Sequence, residues 1–346
     1  MSRCGKKKIY GHRNESDENL SIQTIFLGTV PKKQSLFCNR NMEGAVPILT
    51  PELWTAASLG QVGKVRQLLT EDVDVEERGG PEASTPLYEA VTSECPEVVR
   101  LLVEHGADVS AKNTDGNTPL HNLCDILHAF VYGKYGEMYD GVPEIGKLHL
   151  DALDVVQLLL HHHTDPSARG KDGNTPLHLA AGAGDNHTVA LLIEHGADVS
   201  AKNSRGHTAL FRTAPQIDDE AWSGHLHVAL MLLEQGADVS DKDNYGNTSL
   251  HAAAEYGHCE MVRLLLNKGA DISAENNDGK TPIDVSTNRL YGPDWKHEEV
   301  TALLRAEETR QATWGAFMMG QHERLGAGSL INTIPPELAK MILDRV

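Results

Sequence analysis

The sequence predicts an all-α solenoid, a row of short helix-turn-helix units joined by β-hairpin loops. Three observations carry this reading. First, a phrase recurs: "GNTPLHLAAGAGDNHTVALLIEHGADVSAKN", Gly173 to Asn203, has near copies elsewhere in the chain. Second, the recurrence has a period. The equivalent positions Pro86, Pro119, Pro176, Ala209, Ser249 and Pro282 lie 33, 57, 33, 40 and 33 residues apart, a base of 33 with insertions. Third, each copy holds two slim apolar runs. Neither makes a core alone, so the units must bury them against one another.

The elements follow in order. Residues 1–46 read as a disordered basic arm. About seven units follow, in a repeat domain over 47–308. The first, "ELWTAASLGQVGKVRQLL" (52–69), lacks the Thr-Pro phrase and serves as an N-terminal cap. In the fourth unit, Thr175 caps a helix with its hydroxyl. Pro176 takes the first helical position, where a missing N–H costs nothing. Leu177, Leu179, Ala180 and Ala181 give the apolar face, and Gly182 and Gly184 end it. Val189, Leu192 and Ile193, at i, i+3 and i+4, mark the second helix, and Gly196 suits a left-handed cap. The polar stretch Asp198 to Gly206 is a hairpin loop.

The third unit departs from this plan. His163 stands where Gly106 and Gly196 stand in other units, and a left-handed cap costs about 1 kcal/mol more at His than at Gly. This unit is expected to be the soft point. Three units exceed the period: the third by 24 residues, the fifth by 7 and the seventh by about 6. Each insertion is expected between the first and second helices. The seventh unit, from Thr281, lacks a closing turn, and residues 309–346 read as a C-terminal helical extension.

The intact "TPLH" at 118–121 and 175–178, "GADVS" at 106–110, 196–200 and 236–240, and "GADIS" at 269–273 resemble the ankyrin repeat family. The resemblance covers roughly residues 49–306. It implies a protein-binding scaffold or adaptor whose hairpin tips and first helices line a concave groove. It implies that His121, His178 and His251 are structural hydrogen-bonders between neighbouring units. Carried over by position, the partner-binding hairpin residues are Lys112, Asp115 and Asn117, then Lys171 and Asn174. Lys202, Arg205 and His207 follow, then Lys242, Tyr245 and Asn247. The lysines and arginine make a positive row suited to an acidic peptide. Tyr245 and Tyr256 are the expected aromatic anchors. Where family hairpins that resemble substrates of asparaginyl hydroxylase carry Asn, this chain has Ser110, Ser200, Ser240 and Ser273.

Composition narrows the function classes. The net charge is −18, with +4 in residues 1–48 and −22 in the remainder, which argues against nucleic acid as a partner. No apolar run approaches 18 residues, so no membrane span is expected. Five cysteines without paired spacing indicate a reducing compartment, cytosol or nucleus. "HHH" at 161–163 places three rings in different directions on a helix, so no metal site is expected. No nucleophile, phosphate-loop or dinucleotide signature is present, so neither catalysis nor a cofactor is expected. The partner is expected to be another protein, bound by a monomer.

Two further features suggest partners. The insertions carry seven of the seventeen aromatics, including Tyr132, Tyr135, Trp222 and Trp295. Aromatics on adaptable loops make good anchors, which suggests a second binding edge opposite the hairpins. "IPPELAKMIL" at 334–343 resembles the opening of an F-box. That resemblance implies the alternative function, a ubiquitin-ligase substrate receptor that recruits ligase subunits.

Overall fold

The computed structural model describes residues 51–71, 73–93, 95–132, 143–214, 222–287 and 294–325. All lie in one compact unit, Val46–Val346. Among the described residues fourteen α-helices pair into seven units: α1 (Glu52–Ser58) with α2 (Val62–Leu68), α3 (Pro86–Thr92) with α4 (Pro96–Glu104), and α5 (Pro119–Tyr132) with α6 (Pro143–His161). Then come α7 (Pro176–Gly182) with α8 (Asn186–Glu194), α9 (Ala209–Arg212) with α10 (Trp222–Glu234), α11 (Ser249–Glu255) with α12 (Cys259–Asn267), and α13 (Pro282–Ser286) with α14 (Asp294–Leu325). Odd-numbered helices pack on odd and even on even, giving two layers. Among the described residues the only β structure is two isolated antiparallel bridges, Gly79 with Ser84 and Lys242 with Thr248.

The helix starts follow local chemistry. Thr85, Thr208, Thr248 and Thr281 each accept, at Oγ1, the backbone N–H three residues on. In the histidine-bearing units the N-cap contact is elaborated. Nδ1 of His178 accepts the backbone N–H of Thr175 at 3.2 Å and its hydroxyl at 2.8 Å. Nδ1 therefore carries no proton, and Nε2 donates onward to the carbonyl of His207 at 2.8 Å. His121 to Asn174 (3.1 Å) and His251 to Lys280 (3.0 Å) repeat this arrangement. In the capping unit Trp54 takes the histidine's place, and its Nε1–H donates to Oγ of Ser84 at 3.0 Å. The histidines thus bridge one unit's helix start to the next unit's hairpin.

The core is two columns of leucine. Leu53, Leu87, Leu120, Leu177, Leu210 and Leu250 occupy one first-helix position and are essentially inaccessible. Leu102, Leu159, Leu192, Leu232, Leu265 and Leu304 do the same in the second layer. Each such burial is worth about 2 kcal/mol, and it depends on the neighbouring unit being present.

The added chain falls between the two helices of its unit: between α5 and α6, between α9 and α10, and between α13 and α14. In the third unit it also lengthens the helices, to 14 and 19 residues against 7 and 9 in the fourth. His163 adopts φ 64°, the left-handed conformation that Gly106 and Gly196 adopt at 84° and 85°. Helix α14 runs unbroken through residue 308. Among the described residues no helix is long and apolar enough to cross a membrane.

Candidate binding groove

The hairpin cations make a ladder. A guanidinium nitrogen of Arg78 donates to the carbonyl of Lys112 at 2.6 Å, and the Lys112 ammonium donates to the carbonyl of Arg169 at 3.0 Å. Arg169 reaches Lys202 at 2.5 Å, Lys202 reaches Lys242 at 3.0 Å, and Lys242 reaches Glu275 at 2.8 Å. Each cation belongs to one hairpin, and each acceptor is the backbone of the equivalent residue in the next. Lys202 also pairs with Asp241 at 2.7 Å. The positive row is therefore committed to holding successive hairpins in step.

The other hairpin positions are tied in similarly. Lys171 pairs with Asp115 at 3.1 Å, and its backbone N–H donates to Oδ1 of Asn117 at 2.8 Å. Oδ1 of Asn174 accepts from Asn203, and Oδ1 of Asn247 accepts from Asn276, each at 2.8 Å. His207 is half-buried and stacks on Phe211, with ring centroids 4.2 Å apart. Its Nε2 lies 3.7 Å from Oδ2 of Asp243, and burial holds its pKa below the usual imidazole value. Tyr245 stands free at its hairpin tip, 67% exposed. Tyr256 is half-buried against the core beside His258. Arg205 is exposed. Tyr132, Trp222 and Trp295 belong to α5, α10 and α14, and their side chains are outside the described set, as is Tyr135. Residues 334–343 are also outside it.

Other groups on the first-helix layer were not singled out from sequence. Arg212, at the end of α9, lies across Gly182 of the preceding unit. A Cβ on Gly182 would sit 3.0 Å from Nη2 and 3.3 Å from Nε of that guanidinium, so the glycine makes the room. Nε of Arg212 and Nδ1 of His207 are the two buried side-chain atoms without a hydrogen-bond partner among the described residues. Burial lowers the Arg212 pKa, the nearby Arg205 lowers it further, and Asp125 opposes both. Asp125 on α5 is open to solvent, yet partial desolvation raises its carboxyl. Glu255 on α11 is half-buried, and burial raises it too, against the pull of Lys280. A cleft of about 210 Å³ brings Glu255 together with Tyr245, Asp278, Lys280 and Val285. The available sequence signal was a charge at first-helix positions that other units fill with Leu179, Ala252 or Gly182.

Among the described residues, no three or more His, Cys, Asp or Glu gather as a metal site. His161 instead bonds the carbonyl of Gln157 through Nδ1, at 2.7 Å.

Comparison with known proteins agrees with this architecture. The family model "Ankyrin repeats (3 copies)" matches residues 53–129 and 148–243, and "Ankyrin repeats (many copies)" matches 232–286. The chain is 43% identical over 70 residues to ankyrin repeat and SOCS box protein 5 of Bos taurus, covering 20% of this chain and 21% of that one. It is 33% identical over 108 residues to the 2-5A-dependent ribonuclease of Homo sapiens, covering 31% of this chain and 11% of that one. These matches span a fifth or less of this pair of relatives, to within a percentage point. The crystal structure of the ankyrin repeat domain of Bcl-3 superposes with a TM-score of 0.52 at 28% identity, covering 76% of this chain and 99% of that domain. With seven stacked units, the histidine bridges and these matches, the chain belongs to the ankyrin repeat family.

Proposed function

We propose that this chain is a protein-binding adaptor, without chemistry of its own, that holds a partner in the groove between its hairpin tips and first helices. One observation supports this reading above others. The hairpin cations are spent on the next unit, whereas Arg212 and Glu255 on the first helices and Tyr245 at a hairpin tip have no bonded side-chain partner among the described residues. Charged and aromatic groups kept unpaired in a recess are what a partner's side chains complete. The reduced thiols of Cys95, Cys124 and Cys259 fit a reducing compartment, cytosol or nucleus.

The test is affinity capture from cells with the full chain and two variant sets. In the groove set, Arg212→Ala and Tyr245→Ala are expected to lose the partner without changing the melting profile. In the edge set, Tyr132, Tyr135, Trp222 and Trp295 are replaced by Ser. Loss of the partner in the edge set alone would overturn the groove reading and favour the insertion edge. The ligase-receptor alternative draws on the relative whose name carries a SOCS box. It requires ligase subunits that disappear from the capture when residues 334–346 are removed.

A further inference from the structure

The unpartnered charges of the groove have both signs, and they are segregated along it. In the fifth unit Arg205 lies close enough for its charge to act on Arg212, as does the opposing charge of Asp125, and among the described residues neither guanidinium makes an ion pair. The orphaned Nδ1 of His207 lies in the same unit. One unit on, the Glu255 carboxylate makes no hydrogen bond or ion pair among the described residues. It faces the cleft it shares with the exposed Tyr245 ring. Asp278 lines the same cleft, and Lys280 is the single cation there, so the cleft is net acidic.

Each end suits one kind of visitor. A half-buried guanidinium without a bonded carboxylate is costly to keep, and an arriving carboxylate relieves that cost with paired N–H···O bonds. An exposed aromatic face beside a carboxylate suits a guanidinium or an ammonium, stacked on the ring and bonded at its tip. Successive first helices stand about 10 Å apart, which is about three residues of extended chain. The charges oppose across that step. A segment with one acid and one base is neutral overall, so an acidic body of net charge −18 admits it without net repulsion.

Resting on the reading of this groove as the partner-binding face, we propose that it grips an extended protein segment by two side chains of opposite charge about three residues apart. The acidic side chain sits at Arg212 and Arg205. The basic one sits between Glu255 and the Tyr245 ring.

The test titrates the full chain with four acetylated, amidated nine-residue peptides on one Ser-Thr-Val framework. One carries Glu and Arg three positions apart, one Glu alone, one Arg alone, and one neither. NMR follows the Arg212 Nε–H and the Tyr245 ring. The Glu/Arg peptide is expected to bind about tenfold more tightly than either singly charged peptide and to shift both signals. Arg212→Gln should remove the advantage conferred by Glu and keep that of Arg, and Glu255→Gln should do the reverse. The melting temperature of R212Q should hold or rise, because the guanidinium has no bonded partner to lose. Equal affinity for all four peptides would overturn the proposal. So would a lower melting temperature in R212Q with unchanged peptide selectivity. Should R212Q fail to fold, Arg205→Gln takes its place with the same expected loss. If selectivity is absent while partner capture still depends on the groove variants, the charge pair falls and the groove reading stands. If capture ignores the groove variants, both fall.

Discussion

Units three and four share the phrase Thr-Pro-Leu-His and the same bridge from histidine to the next hairpin, but they are finished differently. Unit four joins α7 to α8 through three residues, and Asp185 caps α8 by accepting the N–H groups of His187 and Thr188. It closes at Gly196, where φ is 85° and a Cβ would meet nothing within 4 Å. Unit three separates α5 from α6 by residues 133–142 and closes at His163 with φ 64°. The same buried start thus supports a unit with a short connection and a unit with a long one. Starting chemistry is local, whereas the cost of finishing a unit is set by its connection and its cap.

The largest expected effect breaks the shared part. Burial pushes His178 down to about 4, and its bond to the His207 carbonyl only partly offsets this. The unfolded chain, with an ordinary histidine near 6.5, therefore binds the extra proton first. Stability is complete above about pH 6.5 and falls as pH drops toward 4, by roughly 3 kcal/mol from His178 alone. His121 and His251 shift in the same direction. Urea midpoints across this range should show the decline, and His178→Gln should flatten its slope. A midpoint independent of pH between 6.5 and 4 would remove His178 from this role.

The next effect exchanges the caps. His163→Gly should stabilise by about 1 kcal/mol, and Gly196→Ala should destabilise by a similar amount. Since a Cβ at 196 has open space, the second change isolates backbone conformation from packing. If both variants melt like the parent, the left-handed caps carry no cost here.

Hydrogen exchange sharpens the contrast without mutation. Amides of α5 and α6 within 120–161 should open about fivefold faster than those of α7 and α8, and His163→Gly should narrow the gap. Equal protection would mean that the leucine columns couple the units too tightly for the cap to matter locally. The smallest effect concerns the hairpins. Lys202→Ala, which loses one carbonyl contact and one partly exposed ion pair, should cost roughly 0.5 kcal/mol. A cost above 2 kcal/mol would make the ladder a principal source of stability.

Much of this was legible in the sequence because it is written in short-range chemistry. Thr before Pro, Gly after an apolar run, and a 33-residue period fix helix starts, helix ends and stacking order. The position of the insertions between paired helices followed from the same period. The destination of the hairpin cations was not legible. Lys112 and Lys242 look like free positive charge in the sequence, and only geometry shows their ammonium groups on the next hairpin's carbonyls. Arg212 was missed because its environment is made by an absence thirty residues away, the missing side chain of Gly182. Tyr256 looked equivalent to Tyr245, yet one packs beside His258 and the other stands in solvent.

The carbonyl ladder bears on how such a chain grows. Every rung takes its side chain from one unit and a backbone carbonyl from its neighbour, with Lys202 adding an ion pair to Asp241. A duplicated or transplanted unit therefore inherits a fitting rung on both sides, because any residue at the receiving position offers the same carbonyl. Arg and Lys both serve, so drift at the donor position is tolerated as long as the charge persists. The series ends at Glu275, where the next donor would be an anion. Copies inserted before that hairpin join without further change, while copies added after it begin without a rung.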